Sequence, residues 1–570
     1  MNLRVFPFLI TLIFLLASCQ PEPKQAADLL LLSGNIYTVD ETRPRAEALA
    51  VKDGRIIAVG ANAEVETLKG EQTKVIDLEG RFAMPGFIEG HGHFNGVGKM
   101  ALNLNFMQAE SWEDIVAMVA EAAAAAEPGD WIIGRGWHQE KWATTPQQAI
   151  DGYPRHDALS AASPDNPVLL RHASGHGSFA NAKAMELAGI TVETPDPTGG
   201  KIVRDSRGAA IGMFEERAQG IVGAAYGEYL QTLSEEARKN LWLKETELAQ
   251  QECLAKGITS FQDAGSSYQD IAWYRELAES GDLDLRLWVM LRHPYERMKD
   301  NMEGFPIIGA GNQFFTSRAI KAAVDGALGA FGAWLLEPYE DRPGFYGQNT
   351  TSIEELENIA RLAIEHDMQY CVHAIGDRAN REVLDIFEAT FAAHPDMDDL
   401  RWRIEHSQHL HPDDIPRFAE QGTIAAMQAI HCTSDAPFVV KRLGEQRARE
   451  GAYPWRSLLD AGAVVTNGTD APVEDVDPIA SYYASVTRKR PDSGMAFFPT
   501  QAMTREEALY SYTLGNAYAA FEEELKGSLE AGKMADIVVL SNDLLTCSED
   551  EILETQILMT IVDGEIKYER

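Results

Sequence analysis

Met84-Pro85-Gly86-Phe87-Ile88-Glu89-Gly90-His91-Gly92-His93 is an apolar run that ends in two histidines separated by a glycine. The run has the length of a strand. Side chains two apart on an extended chain project to the same side, so both imidazoles can address one cation. Glycines flanking His91 let the backbone approach a neighbour closely. An H-x-H pair alone also fits a surface loop, so its meaning depends on the surrounding pattern.

Downstream, strand-like apolar runs alternate with helical stretches, the pattern of parallel βα units. Counting 83–89 as the first, the others are 258–262, 285–290, 319–324, 369–372, 401–405, 423–427 and 463–466. Eight such runs predict an α/β fold, a (β/α)8 TIM-like barrel spanning 83–524. Apolar residues at three- and four-residue spacing predict helices over 241–256, 353–366 and 380–393. The alanine run 122–126 reads as helix propensity. The gap between the first two strands is too long for one connecting helix, and it predicts a domain of about residues 105–235 inserted after barrel strand 1.

Both ends of the chain are rich in β patterns. Short apolar runs broken by Ser33-Gly34-Asn35 and Asp53-Gly54 lie near one end, and runs around Asp563-Gly564 near the other. Segments 27–82 and 525–570 are therefore expected to pair into a small composite β-sandwich domain.

The first 19 residues read as an export signal: Arg4, then an apolar run too short to span a membrane. Leu16-Ala17-Ser18-Cys19 resembles a bacterial lipobox, in which Cys19 is lipidated and becomes the first mature residue. Gln20 resembles an outer-membrane sorting signal, and 20–26 reads as a tether. The expectation is a lipid-anchored protein of the bacterial cell envelope, at the outer membrane facing the periplasm. An ordinary cleaved signal with a chance cysteine is the alternative. Cys253, Cys371, Cys432 and Cys547 lack paired spacing, so neither a disulfide framework nor a thiolate zinc site is expected. A formal charge of −37, from 87 acidic and 50 basic residues, argues against broad contact with nucleic acid.

Three later strands also end at candidate ligands: Tyr370-Cys371-Val372-His373, Arg403-Ile404-Glu405-His406 and Val465-Thr466-Asn467-Gly468-Thr469-Asp470. Strand ends converge at a barrel mouth. Taken singly, His373 also fits a buried core histidine, His406 a helix cap and Asp470 a turn.

The ordered segments 84–93, Asp325-Gly326-Ala327-Leu328-Gly329, His373-Ala374-Ile375-Gly376-Asp377-Arg378-Ala379, Gly468-Thr469-Asp470-Ala471-Pro472-Val473 and 527–537 resemble the amidohydrolase superfamily. The resemblance is to its YtcJ-like or amidohydrolase 3 branch, which includes N-substituted formamide deformylases, and it covers nearly all of the mature chain.

The resemblance implies two divalent metal ions, with zinc preferred and iron, manganese or nickel chemically compatible. His91 and His93 would hold one, His373 and His406 the other. Lys321 occupies the place of a lysine carboxylated by carbon dioxide, whose carbamate bridges the ions; an unmodified Lys321 in an ion pair is the other reading. Asp470 completes the site and serves as general base for a metal-bound hydroxide. The implied reaction is hydrolysis of a non-peptide C–N bond in a small-molecule amide, formamide or cyclic amide. A mononuclear deaminase, an esterase, an inactive lipid-anchored binding protein and a structural surface lipoprotein are the competing functions. Trp137, His176 and His431 are the candidate substrate contacts, although core or loop roles fit each of them. Asp377 is expected to cap the helix near Asn380, with the orienting of a metal ligand as the other reading. A homo-oligomer is left open.

Overall fold

The computed structural model describes residues 26–570 apart from 107, 108, 140, 141, 145, 147, 173–176, 198, 199 and 398. The signal region with Cys19, the tether up to residue 25, and the pocket candidate His176 lie outside the described residues.

Eight parallel strands form the central sheet: β1 (Phe87–Gly92), β2 (Ile258–Ser266), β3 (Arg286–Leu291), β4 (Phe315–Ala323), β5 (Gln369–Ala374), β6 (Arg403–His406), β7 (Ile424–Met427) and β8 (Val465–Asn467). They neighbour one another in sequence order. All six residues of β3 are buried, as expected where a parallel sheet is covered by helices outside and filled by side chains inside. The helices Glu235–Ala255, Ile353–Glu365 and Asp377–Ala393 lie where periodicity predicted them. Ser234 and Ser352 fix the starts of the first two by accepting from the backbone three residues on. Ile353–Glu365 buries Leu356, Ile359, Ala360 and Ala363 along one stripe.

The first predicted strand, 83–89, is two strands. Phe82–Pro85 pairs with Ile537–Leu540 and Asn35–Tyr37 in the terminal β unit, and only from Phe87 does the chain enter the barrel. The switch falls at Gly86, where a Cβ would meet the Thr259 side chain at 2.2 Å.

β8 and β1 share no ladder, and the seam between them is closed by side chains and loop backbone. Asn516, in the helix Leu514–Ala519, donates from Nδ2 to the carbonyls of Ile88 (2.7 Å) and Asn467 (2.8 Å). Above it, Asp470 N–H donates to the His91 carbonyl at 2.7 Å, and His93 N–H to that of Ala471 at 2.6 Å. A Cβ at Gly90 would come within 2.3 Å of Asn516 Oδ1, so the glycine between Glu89 and His91 is what lets the staple lie flat.

The chain ends build a four-stranded and a six-stranded sheet whose apolar faces meet through Leu29, Leu31, Leu49, Val51, Ile537 and Ile561. Arg286 ties this unit to the foot of β3 through Asp536 (2.7 Å) and Asp563 (3.0 Å). Between β1 and β2, a further six-stranded sheet runs in the order Gly200–Arg204, Ala210–Glu216, Gly177–Ala180, Val168–His172, Ile132–Trp137, Leu104–Asn105. It has its own core of Phe106, Trp112, Trp137, Leu159 and Phe179. Among the described residues no helix is long and apolar enough to cross a membrane.

Candidate metal centre

The C-terminal ends of five barrel strands bring His91, His93, Lys321, His373, His406 and Asp470 together. His91 and His93 leave the end of β1, Lys321 lies on β4, His373 on β5, His406 ends β6, and Asp470 follows β8. Ligand atoms of His91, His93 and Asp470 lie within 4.8 Å of one another, and so do those of His406, His431 and Asp470. Asp470 is thus common to both groups. The His373 and His406 rings are 4.4 Å apart between centroids, those of His91 and His406 4.7 Å. Lys321 Nζ stands 3.4 Å from His91 Nε2.

Two of these residues sit on strained backbone: His406 has φ 75° and Asp470 φ 58°. Side chains other than glycine rarely adopt that region, and such strain concentrates at functional sites. Here it turns His406 and Asp470 out of their strand directions and into the shared nest.

Burial sets the protonation states. Desolvation, reinforced by Lys321, lowers the pKa of His91 to about 4 and that of His373 to about 3; burial also takes His406 well below its ordinary value. These imidazoles are neutral at pH 7 and offer lone pairs. Burial opposes the charge of Asp470, but His431 and His93 outweigh it and hold the carboxyl ionised well below its usual range. Desolvation brings Lys321 down to about 8.

His431 is not a loop histidine facing solvent. It is buried in the first turn of Ala429–Leu443, with Nε2 3.5 Å from Asp470 Oδ2 and Nδ1 3.7 Å from Glu474. Burial disfavours its imidazolium, yet Asp470 and Glu474 raise its pKa to about 10. Asn467 Oδ1 accepts from Ala429 N–H at 3.1 Å and so positions that helix.

Trp137 is a correction to the predicted substrate contacts. It is fully buried, its indole N–H donates to the Leu170 carbonyl at 3.0 Å, and Trp142, His172 and Phe179 surround it. The side chain fills the core of the inserted sheet and has no surface for a ligand. Asp377 also differs from expectation. Gly376 is the residue before its helix, and the Asp377 carboxylate instead accepts from Leu336 N–H (2.9 Å), holding the loop after β4.

Glu405, Arg403 and Asp325 are functional candidates that the sequence reading passed over. Glu405 accepts from His91 Nδ1, which leaves Nε2 directed at Lys321 and Asp470. Arg403 pairs with Glu405 at 2.8 Å and donates to Gln262 (2.5 Å) and the Gly90 carbonyl (2.8 Å). Burial opposes the charge of Glu405, but Arg403 and His91 bring its pKa down to about 2. Asp325 accepts from the N–H groups of Trp334, Ile375 and Gly376 and lies 3.5 Å from His373 Nε2. A signal was present: Arg403 and Glu405 alternate with apolar Ile404, so both charges must face the barrel interior.

A divalent cation fits this nest. His373 Nε2 and Asp470 Oδ1 are buried without a hydrogen-bond partner among the described residues, and neutral imidazoles with a carboxylate are the donor set such ions take.

The amidohydrolase family model matches residues 74–568. The chain belongs to the amidohydrolase family. It is 31% identical to the protein LONG AFTER FAR-RED 3 of Arabidopsis thaliana, over 97% of this chain and 94% of that one. It is 28% identical to an N-substituted formamide deformylase of Arthrobacter pascens, over 96% and 99%. Among solved structures, an uncharacterized metal-dependent hydrolase from Pyrococcus furiosus superposes with a TM-score of 0.73 at 26% identity, covering 91% of this chain and all of that one. In this amidohydrolase the barrel is the family's, and the nest described above occupies its mouth.

Proposed function

We propose that this amidohydrolase is a metal-dependent hydrolase that cleaves a non-peptide C–N bond in an amide, formamide or cyclic amide. The observation that carries the reading is the convergence of the neutral, buried imidazoles of His91, His373 and His406 on an ionised Asp470. The likeness to a deformylase and to a metal-dependent hydrolase supports the same chemistry.

His91, His93, His373 and His406, with Asp470 and Lys321, would hold two divalent ions, zinc by donor preference. Bound there, such ions supply a water of lowered pKa and an electrophilic contact for the carbonyl oxygen. Asp470 takes the proton of the attacking water and returns it to the departing nitrogen, since its carboxylate is ionised and borders both ligand groups. His431, as imidazolium beside Asp470, donates to the oxygen on which charge develops. Glu405 holds His91 in the tautomer that keeps Nε2 free.

Lys321 would help to hold both ions in this reading. Its amine, buried with a lowered pKa, adds carbon dioxide with loss of a proton and becomes an anionic carbamate. Carbon-13 bicarbonate should yield a carbamate resonance in the wild type that is missing in Lys321→Met; the same spectrum for both would contradict the modification.

Asp470→Asn tests the chemistry. With metals still bound, its turnover on a panel of formamides, N-acyl amino acids, cyclic amides and esters should fall by a factor of about 10²–10⁴. Full turnover in that variant would remove Asp470 from the mechanism. Anchoring at Cys19 in the outer membrane rests on the lipobox resemblance; Cys19→Ala should free the chain from the membrane fraction, and unchanged membrane retention would refute the anchor.

A further inference from the structure

Arg135 and Arg171 are register partners on the adjacent parallel strands Ile132–Trp137 and Val168–His172. Register partners leave a sheet on the same face, and like charges so placed repel. This pairing of two arginines in register stands out in a chain with 87 acidic residues against 50 basic ones. Among the described residues no carboxylate pairs with either; Arg135 contacts Met100 Sδ at 2.8 Å.

Both arginines line a cavity of about 1320 Å³ between the inserted sheet and the barrel rim. Its other walls continue directly from the metal centre: Gly96 and Lys99 lie on the helix that follows His93, and Pro472 and Val473 on the loop that follows Asp470. Arg135 also lines a second cavity of about 510 Å³, together with Ala471 and Glu474, and Glu474 is 3.7 Å from His431. The acids in the larger cavity have other roles. Glu245 lies 4.0 Å from Lys99, Asp270 closes a capping box with Ser267, and Glu235 opens the helix Glu235–Ala255. Trp242 and Trp273 give the cavity an apolar side.

We propose that Arg135 and Arg171 form a subsite for a carboxylate carried by the substrate on the amine side of the scissile amide. The substrate class is then an acidic amide such as an N-acyl amino acid; this part rests on the hydrolytic reading above. Two guanidinium forks on rigid strands recognise a carboxylate through paired charge-assisted hydrogen bonds, and the bound anion relieves their mutual repulsion. The apolar side of the cavity accommodates the rest of the molecule.

Calorimetric binding of hippurate and of its uncharged analogue hippuramide to the metal-loaded Asp470→Asn chain tests the subsite without turnover. Hippurate should bind at least tenfold more tightly than hippuramide. Arg135→Gln with Arg171→Gln should erase that preference, and Arg171→Lys should keep only part of it. Arg171 is exposed, so Arg171→Gln alone gives the same direction of change with no burden on folding. Equal binding of acid and amide, no measurable binding of hippurate, or a preference unchanged in the double variant would overturn the proposal. A wild-type chain that prefers hippurate through these arginines yet cleaves no amide would retain the subsite and lose the hydrolytic reading.

Discussion

The Glu405 carboxylate beside His91 Nδ1 shows how one side chain fixes the chemistry of another. With that nitrogen as donor, Nε2 keeps its lone pair toward the nest. Glu405→Gln retains the volume and removes the charge, and metal affinity should drop by about 10–100-fold, read by titration with a competing chelator. An unchanged affinity would show that His91 needs no orienting partner. Asp325→Asn should act in the same direction through His373, because an amide cannot accept equally from three backbone N–H groups. The candidate histidines and Asp470 were legible because each stands at or just past the end of an apolar run, whereas Lys321 lies within one and only the family resemblance singled it out. Glu405 was not, because its partner lies 314 positions away and only barrel closure brings them together. Trp137 failed for the opposite reason. An aromatic beside a histidine reads alike whether it lines a pocket or fills a core, and the choice depends on which face of Ile132–Trp137 turns inward.

At the level of elements, the eight strands were visible as β-length apolar runs between helical stretches, and their ends moved by a few residues, with β2 running on to Ser266 and β4 starting earlier at Phe315. The split at Gly86 was hidden, since apolar residues stand on both sides of it, the two strands are equally buried and only their partner strands distinguish them. The β1/β8 seam was hidden as well, because a staple through Asn516 leaves no periodic trace. Asn516→Ala removes both of its donated bonds and leaves two buried carbonyls without that donor. The cost should be about 2–5 kcal/mol by urea unfolding. A change under about 0.5 kcal/mol would mean that loop contacts alone close the barrel. Gly90→Ala should mimic it, since the added Cβ would press on Asn516 Oδ1.

Over the whole molecule, the C-terminal segment of the terminal β unit is fastened to the barrel by Arg286, which is 2% exposed, through Asp536 and Asp563. Asp536→Asn strands much of that buried charge and should destabilise the chain by about 3 kcal/mol, while leaving the metal content unaltered. The inserted sheet and the barrel rim both line the large cavity, so the proposed carboxylate subsite and the candidate metal centre lie on separate layers joined at Pro472 and Gly96. Chelation should also lower the melting temperature, because ions that bind only the folded chain stabilise it by about 2.7 kcal/mol at a hundred times Kd. The most direct test of the metal centre is elemental analysis of the purified chain beside a variant carrying His373→Ala and His406→Ala. The wild type should hold about two divalent ions per chain and the variant markedly fewer at the same fold content. A correctly folded wild type that takes up no divalent ion, or a variant that binds as many, would contradict the account.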